Sequence, residues 1–156
     1  MVKITLISVG KIKENYWQAS IDEYLKRMQP YAKINIIDLP EEKNQEQNNK
    51  RVIIKAEGIK IIKLIPKEST KVVLDLRGQK VTSEDFACKL NEWSDFGKEV
   101  CFIIGGPMGL SPEVYEMANQ RIALSTMTFT HQMAKVILIE QIYRALTIQA
   151  GKKYHY

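Results

Sequence analysis

The residues best suited to chemistry stand in two places. The first is Cys101 to Gly109, Cys-Phe-Ile-Ile-Gly-Gly-Pro-Met-Gly, where an apolar run ends in three glycines and a proline within five residues. Leu110-Ser111-Pro112-Glu113 follows, with a good N-cap serine and proline at the first helical position. The pattern predicts a buried strand that delivers a glycine-rich turn to a helix N-terminus. Ligands of open α/β sheets sit at the carboxyl ends of strands, where such turns lie. Glycine there lets a ligand approach the backbone closely. The alternative is a tight strand-to-helix connection with no ligand. The turn is not a Walker loop, because no Gly-Lys-Ser/Thr follows. It is not a dinucleotide fingerprint, because Gly105, Gly106 and Gly109 do not fit G-x-G-x-x-G.

The second place is the tail, Lys152-Lys153-Tyr154-His155-Tyr156. Its basic and aromatic composition suits phosphates and bases. The alternative is a frayed terminus. The chain has 2 histidines and 2 cysteines. Cys88 and Cys101 give neither a disulfide framework nor a metal cluster, which fits a reducing cytoplasm. No metal site is expected.

The elements that must position these residues follow from periodicity. At 156 residues, 45% of them apolar, the chain is expected to form a single domain, 1–156, with a proper core. A net charge of +5 suits an anionic partner, with RNA the obvious one. The apolar run before Gly10 is too short for a signal sequence or a membrane span. Strands are predicted at Lys3–Val9, Lys33–Leu39, Lys71–Leu76, Glu99–Ile104 and Arg121–Ser125. Trp17, Ile21, Tyr24, Leu25 and Met28 mark one helix, stopped by Pro30. A second is predicted over Val52–Ile65, although β-branched residues and Gly58 also allow a hairpin. Thr82 and Asp85 form a capping box before Phe86, Leu90 and Trp93. Val114, Met117 and Ala118 face inward from the helix after Pro112. Residues Glu41 to Lys50 read as a solvated, mobile loop. The last helix, His131 to Gln149, is apolar on more than one stripe, so part of it is expected to meet another subunit. Alternating strands and helices predict an α/β fold, a mostly parallel sheet with helices on both faces.

The chain resembles the RlmH-type family of SPOUT methyltransferases over nearly its whole length. The resemblance is carried by Ile7-Ser8-Val9-Gly10-Lys11, Glu23 to Arg27, and Leu74-Asp75-Leu76 with Gly78. It continues through Ile104 to Pro107, Gly109-Leu110-Ser111 and Leu124 to Phe129. It ends with His131-Gln132, Glu140 to Ala145 and Tyr154-His155. Each motif alone is weak; their order and spacing in one short chain are specific. Two positions depart from the family pattern: Thr126, where lysine is frequent, and Thr130, where proline is frequent.

The resemblance implies a C-terminal trefoil knot, which periodicity alone does not suggest. It implies a homodimer, S-adenosylmethionine as methyl donor, and methylation of N3 of a pseudouridine in a hairpin of 23S ribosomal RNA. Methylation of another RNA such as tRNA, or non-catalytic nucleotide or RNA binding, are the alternatives. Cofactor contacts carry over to Leu74, Gly105, Leu124, Ser125, Thr126, Met127, Thr128 and Phe129. Leu74, Leu124, Met127 and Phe129 can wall an adenine slot. His155 is expected to handle the N3 proton, since histidine titrates near neutrality. Tyr154 is expected to stack on or orient the base. Arg144, Lys152 and Lys153 are expected to hold phosphates. His131 is expected to support or cap rather than catalyse.

Overall fold

The sheet consists of β1 (Val2–Val9), β2 (Ala32–Leu39), β3 (Ser69–Lys80), β4 (Glu99–Ile104) and β5 (Gln120–Ala123). Every neighbouring pair is parallel, in the order β2-β1-β4-β3-β5. The computed structural model describes residues 1–43 and 49–154. Five helices cover the sheet: α1 (Asn15–Met28), α2 (Lys50–Leu64), α3 (Ser83–Trp93), α4 (Pro112–Met117) and α5 (His131–Gln149).

Two-sided burial explains why the central strands read as unbroken apolar runs. Alternate side chains point to opposite faces. Leu6, Val72 and Phe102 join α1, α3 and α5 in one core cluster. Their neighbours Ile7, Val73 and Ile103 join α2 and α4 in another. The fold class therefore matches the sequence expectation. Among the described residues, no helix is long and apolar enough to cross a membrane.

Local chemistry sets most helix starts. Thr82 and Asp85 form the expected reciprocal capping box on α3. Ser111 caps α4, with Pro112 at its first position. Asn49 caps α2 by accepting from the Arg51 N–H, which settles that segment as helix rather than hairpin. The expected loop over 41–50 therefore ends in a helix cap at Asn49 and the first residue of α2 at Lys50. Positions 44–48 lie outside the described residues. Gly58 is tolerated inside α2 because a Cβ there would strike the Ser111 side chain, so glycine lets α2 and α4 approach. Thr130, not His131, is the N-cap of α5: its hydroxyl accepts from the Met133 N–H at 3.3 Å. Threonine at this position thus supplies a cap that proline could not.

The carboxyl ends of two strands differ from the sequence reading. β3 does not stop at Leu76. Leu74 pairs with Ile122, the chain bulges through Asp75–Gly78, and Gln79 then pairs with the same Ile122. Gly78 makes the return possible, since a Cβ there would lie 2.7 Å from the Ile122 backbone. β5 ends at Ala123 rather than Ser125. The Ser125 hydroxyl accepts from the Met127 N–H at 3.0 Å, a local turn that takes the chain out of the sheet.

Candidate functional site

The carboxyl ends of β3, β4 and β5 are adjacent in the sheet and open into one cavity of about 650 Å3. β3 and its bulge supply Leu74 to Arg77. The turn after β4 supplies Gly105, Gly106, Pro107 and Gly109, and the segment after β5 runs along the opposite wall. Seven of the eight residues expected around a cofactor line this space: Leu74, Gly105, Leu124, Ser125, Met127, Thr128 and Phe129. Thr126 is exposed and does not line it.

The β4 turn is closed by the Gly109 N–H donating to the Gly106 carbonyl at 3.0 Å. Gly109 takes φ +89°, the left-handed region that glycine enters without strain. Gly105 is needed for a further reason. A Cβ there would fall 2.8 Å from the Leu110 side chain and 3.1 Å from the Gly109 carbonyl carbon. The turn itself leaves no room for a side chain, quite apart from any ligand.

Residues to which the sequence assigned no cofactor contact also shape the cavity. Asp75 accepts from the Arg77 N–H and lies 3.6 Å from its guanidinium, so the bulge holds a charged pair at the wall. Tyr115 and His131 line the space as well. The visible signal for the bulge was Gly78 inside an otherwise strand-like run; no local pattern marks Tyr115.

Several polar groups are buried in the protein. His131 Nε2 is buried, without a hydrogen-bond partner among the described residues, and 3.9 Å from a Glu41 oxygen. Glu57 is 4% exposed, and its Oε2 is likewise unpartnered and set against Gly106. Burial pushes the Glu57 carboxyl above the usual carboxylate range, while the Glu42 backbone and Lys60 pull the other way. Lys135, 2% exposed, pairs with Asp38, which also accepts from the Ser8 hydroxyl at 2.7 Å. Burial pushes the Cys101 thiol up to about 12, which makes it inert.

The tail is docked elsewhere on the same chain. Tyr154 packs edge-on against Tyr143, with ring centres 4.8 Å apart, and the Arg144 guanidinium stands over its ring. Arg144 also donates to the Tyr154 carbonyl at 3.0 Å and pairs with Glu140. Burial and a hydrogen bond with Tyr154 push the Tyr24 phenol up to about 12. Lys152 stands over the Tyr31 ring, and Lys153 is exposed. None of these residues lines the cavity, so within one chain the structure does not bring Tyr154, Arg144 and Lys152 to the cofactor contacts. His155 lies outside the described residues.

Known proteins resemble this chain over its whole length. The family model described as "Predicted SPOUT methyltransferase" matches residues 2–155. The chain is 44% identical to the ribosomal RNA large subunit methyltransferase H of Alkaliphilus oremlandii (strain OhILAs), covering 99% of both chains. It is 40% identical to the protein of that name from Bacillus thuringiensis (strain Al Hakam), again over 99% of both. A probable methylase family protein from Haemophilus influenzae Rd KW20 shares the fold at a TM-score of 0.52 and 14% identity, covering 99% of this chain and 70% of that one. A glycine-rich turn beside an apolar cavity at three strand ends, in a chain matched from end to end, leads to one conclusion: the chain belongs to the SPOUT methyltransferase family.

Proposed function

We propose that the chain transfers a methyl group from S-adenosylmethionine to N3 of a pseudouridine in the large-subunit ribosomal RNA. What carries the proposal is the cavity, whose walls fit the cofactor. Leu74, Leu124 and Phe129 offer an apolar slot for adenine, and the Gly105–Gly106 turn presents backbone without side chains. When bound, S-adenosylmethionine supplies an activated methyl group.

The protein's own residues have two tasks. The walls hold the cofactor and exclude water, which keeps the reacting groups in one orientation. The imide N3 is a poor nucleophile while protonated, so a basic side chain must accept its proton. His155 is assigned that role and Tyr154 the orientation of the base. Lys152 and Lys153 are assigned to phosphates. Arg144, already bonded to Glu140 and the Tyr154 carbonyl, acts by holding the tail.

A homodimer is part of the proposal. Leu76, Met108 and Met127 are all exposed around the cavity mouth, Met127 by 70%, and a second copy would cover them. Since Tyr154 does not touch its own cavity, the tail is assigned to the cavity of the second copy. The C-terminal trefoil knot is part of the same proposal and rests on the family resemblance. The cytoplasm is the assigned compartment.

The test is methyl transfer from labelled S-adenosylmethionine to whole ribosomes, separate large subunits and protein-free 23S rRNA. Label on N3 of a single pseudouridine is expected with at least one of them. No incorporation into any, by protein that binds the cofactor, would sink the proposal.

A further inference from the structure

The loop after β1, Gly10-Lys11-Ile12-Lys13-Glu14, leads into Asn15 and Tyr16 at the start of α1. It is fastened to the cavity wall. The Gly10 N–H donates to the Leu39 carbonyl at 2.7 Å. The space a Gly10 side chain would take is filled by the His131 imidazole, which lines the cavity. The Lys13 N–H donates to the Gln132 side chain at 2.9 Å. Between these ties Ile12 packs on the main core, so Lys11 and Lys13 turn outward on either side of it.

Both ammonium groups are exposed and have no ion-pair partner among the described residues. Arg27, Lys60, Arg77, Lys135 and Arg144 each have one. Glu14 is the only acid between Gly10 and Tyr16. Tyr16 is 63% exposed, and its ring stands edge-on to Trp17 with centres 5.0 Å apart. Arg77, 81% exposed, stands on the β3 bulge at the cavity wall.

We propose that residues 10–16 form an RNA-binding ridge, in which Lys11 and Lys13 neutralise phosphates of the substrate strand and Tyr16 stacks on one of its bases. This rests on the reading that the substrate is RNA, and adds where that RNA is gripped. Cationic side chains on phosphates fix register without reading sequence, and an exposed aromatic face accepts any base. Because the loop is already tied at three points, little ordering is lost on binding.

The test compares wild type with Lys11→Gln/Lys13→Gln and with Tyr16→Ala. The control is Lys3→Gln/Lys33→Gln, the same charge change on exposed residues at the far ends of β1 and β2. Filter retention of protein-free 23S rRNA is read over a range of salt, and cofactor affinity is measured alongside. Losing Lys11 and Lys13 is expected to weaken RNA binding at low salt about tenfold or more. The log–log salt slope should become shallower by about 1.4–1.8, the release expected for two phosphate contacts. Tyr16→Ala should weaken binding about 5- to 150-fold with the slope unchanged. Cofactor affinity should stay within about twofold, because no residue of the ridge contacts the slot.

An unchanged slope in Lys11→Gln/Lys13→Gln overturns the proposal. So does an equal change in the control, which would mark a long-range field rather than contact. A loss seen with intact large subunits but not with protein-free rRNA also overturns it, and assigns the ridge to a ribosomal protein. Retention is read without turnover, so a wild type that binds RNA through this ridge but methylates nothing would defeat the function proposed above and leave the ridge standing.

Discussion

Gly10 and His131 compete for one volume. A Cβ at position 10 would fall 2.7 Å from His131 Nε2 and 2.9 Å from its Cδ2, and Gly10 takes φ +99°. The end of β1 and the start of α5 therefore meet only because residue 10 has no side chain. Glu41 stands on the far side, 3.9 Å from the same nitrogen.

Gly10→Ala should therefore act at a distance. Left-handed backbone costs an alanine about 1–2 kcal/mol, and the imidazole must move away from the cavity wall. Melting temperature and cofactor affinity are both expected to fall, the latter severalfold. Gly10→Ala/His131→Ala should recover part of the lost stability, since the clash is removed and the backbone strain stays. Strict additivity of the two changes in thermal melts would contradict the contact.

Gly105→Ala tests the turn more gently than a large side chain. Its Cβ meets Leu110 at 2.8 Å, so the turn must shift and cofactor affinity should drop about tenfold or more, by analogy with other overpacked sites. Trimming the obstacle in Gly105→Ala/Leu110→Ala should restore binding in part. Calorimetric titration decides: unchanged affinity in the single variant would remove Gly105 from the site. Gly105→Leu should abolish binding altogether.

Glu57 predicts a pH dependence with a definite sign. Burial raises its folded-state pKa above the ordinary 4.5. Between the unfolded and folded values the native state binds more protons, so this group's contribution to stability falls as pH rises through that window. Above it the native state carries a desolvated carboxylate. Glu57→Gln keeps the shape and removes the charge. The variant is expected to melt higher than wild type at pH 8, with the gap narrowing as pH falls towards 4.5. A gap that widens on acidification would show that the carboxylate stabilises the fold in its ionised form.

Deleting Tyr154–Tyr156 should leave cofactor binding nearly intact, because the cavity is built from residues 74 to 134. Methyl transfer should be lost. His155→Ala separates proton handling from docking. A lost general base slows turnover about 10²–10⁴-fold even at saturating RNA, and the rate should recover as pH rises and N3 ionises unaided. A lost docking contact raises KM and leaves kcat alone. Full activity of the deleted form would remove the tail from the reaction.

Strands, helices and the class of fold were written locally. The apolar runs of β1 and β4 announced strands buried on both faces. Thr82 with Asp85, and Ser111 with Pro112, announced helix starts through backbone hydrogen bonds that need only neighbouring residues. The glycine turn was legible because its residue types and spacing lie within a few positions of each other, whereas Leu124–Phe129 was marked only by the family resemblance. The order of strands was not legible, because parallel pairing joins segments tens of residues apart and no local pattern records which lie side by side. Tertiary structure alone decided that β3 runs on to Lys80, since its second half exists only by pairing with Ile122. It alone set Glu57 behind Gly106 and His131 against Gly10, contacts between elements that share no local sequence. It also decided the place of Tyr154. The composition of the tail suits an RNA site, but the rings of Tyr24 and Tyr143 and the guanidinium of Arg144 offer it a partner on its own chain. Which surface holds an aromatic side chain depends on the packing available in three dimensions, and that information is absent from the order of residues along the chain.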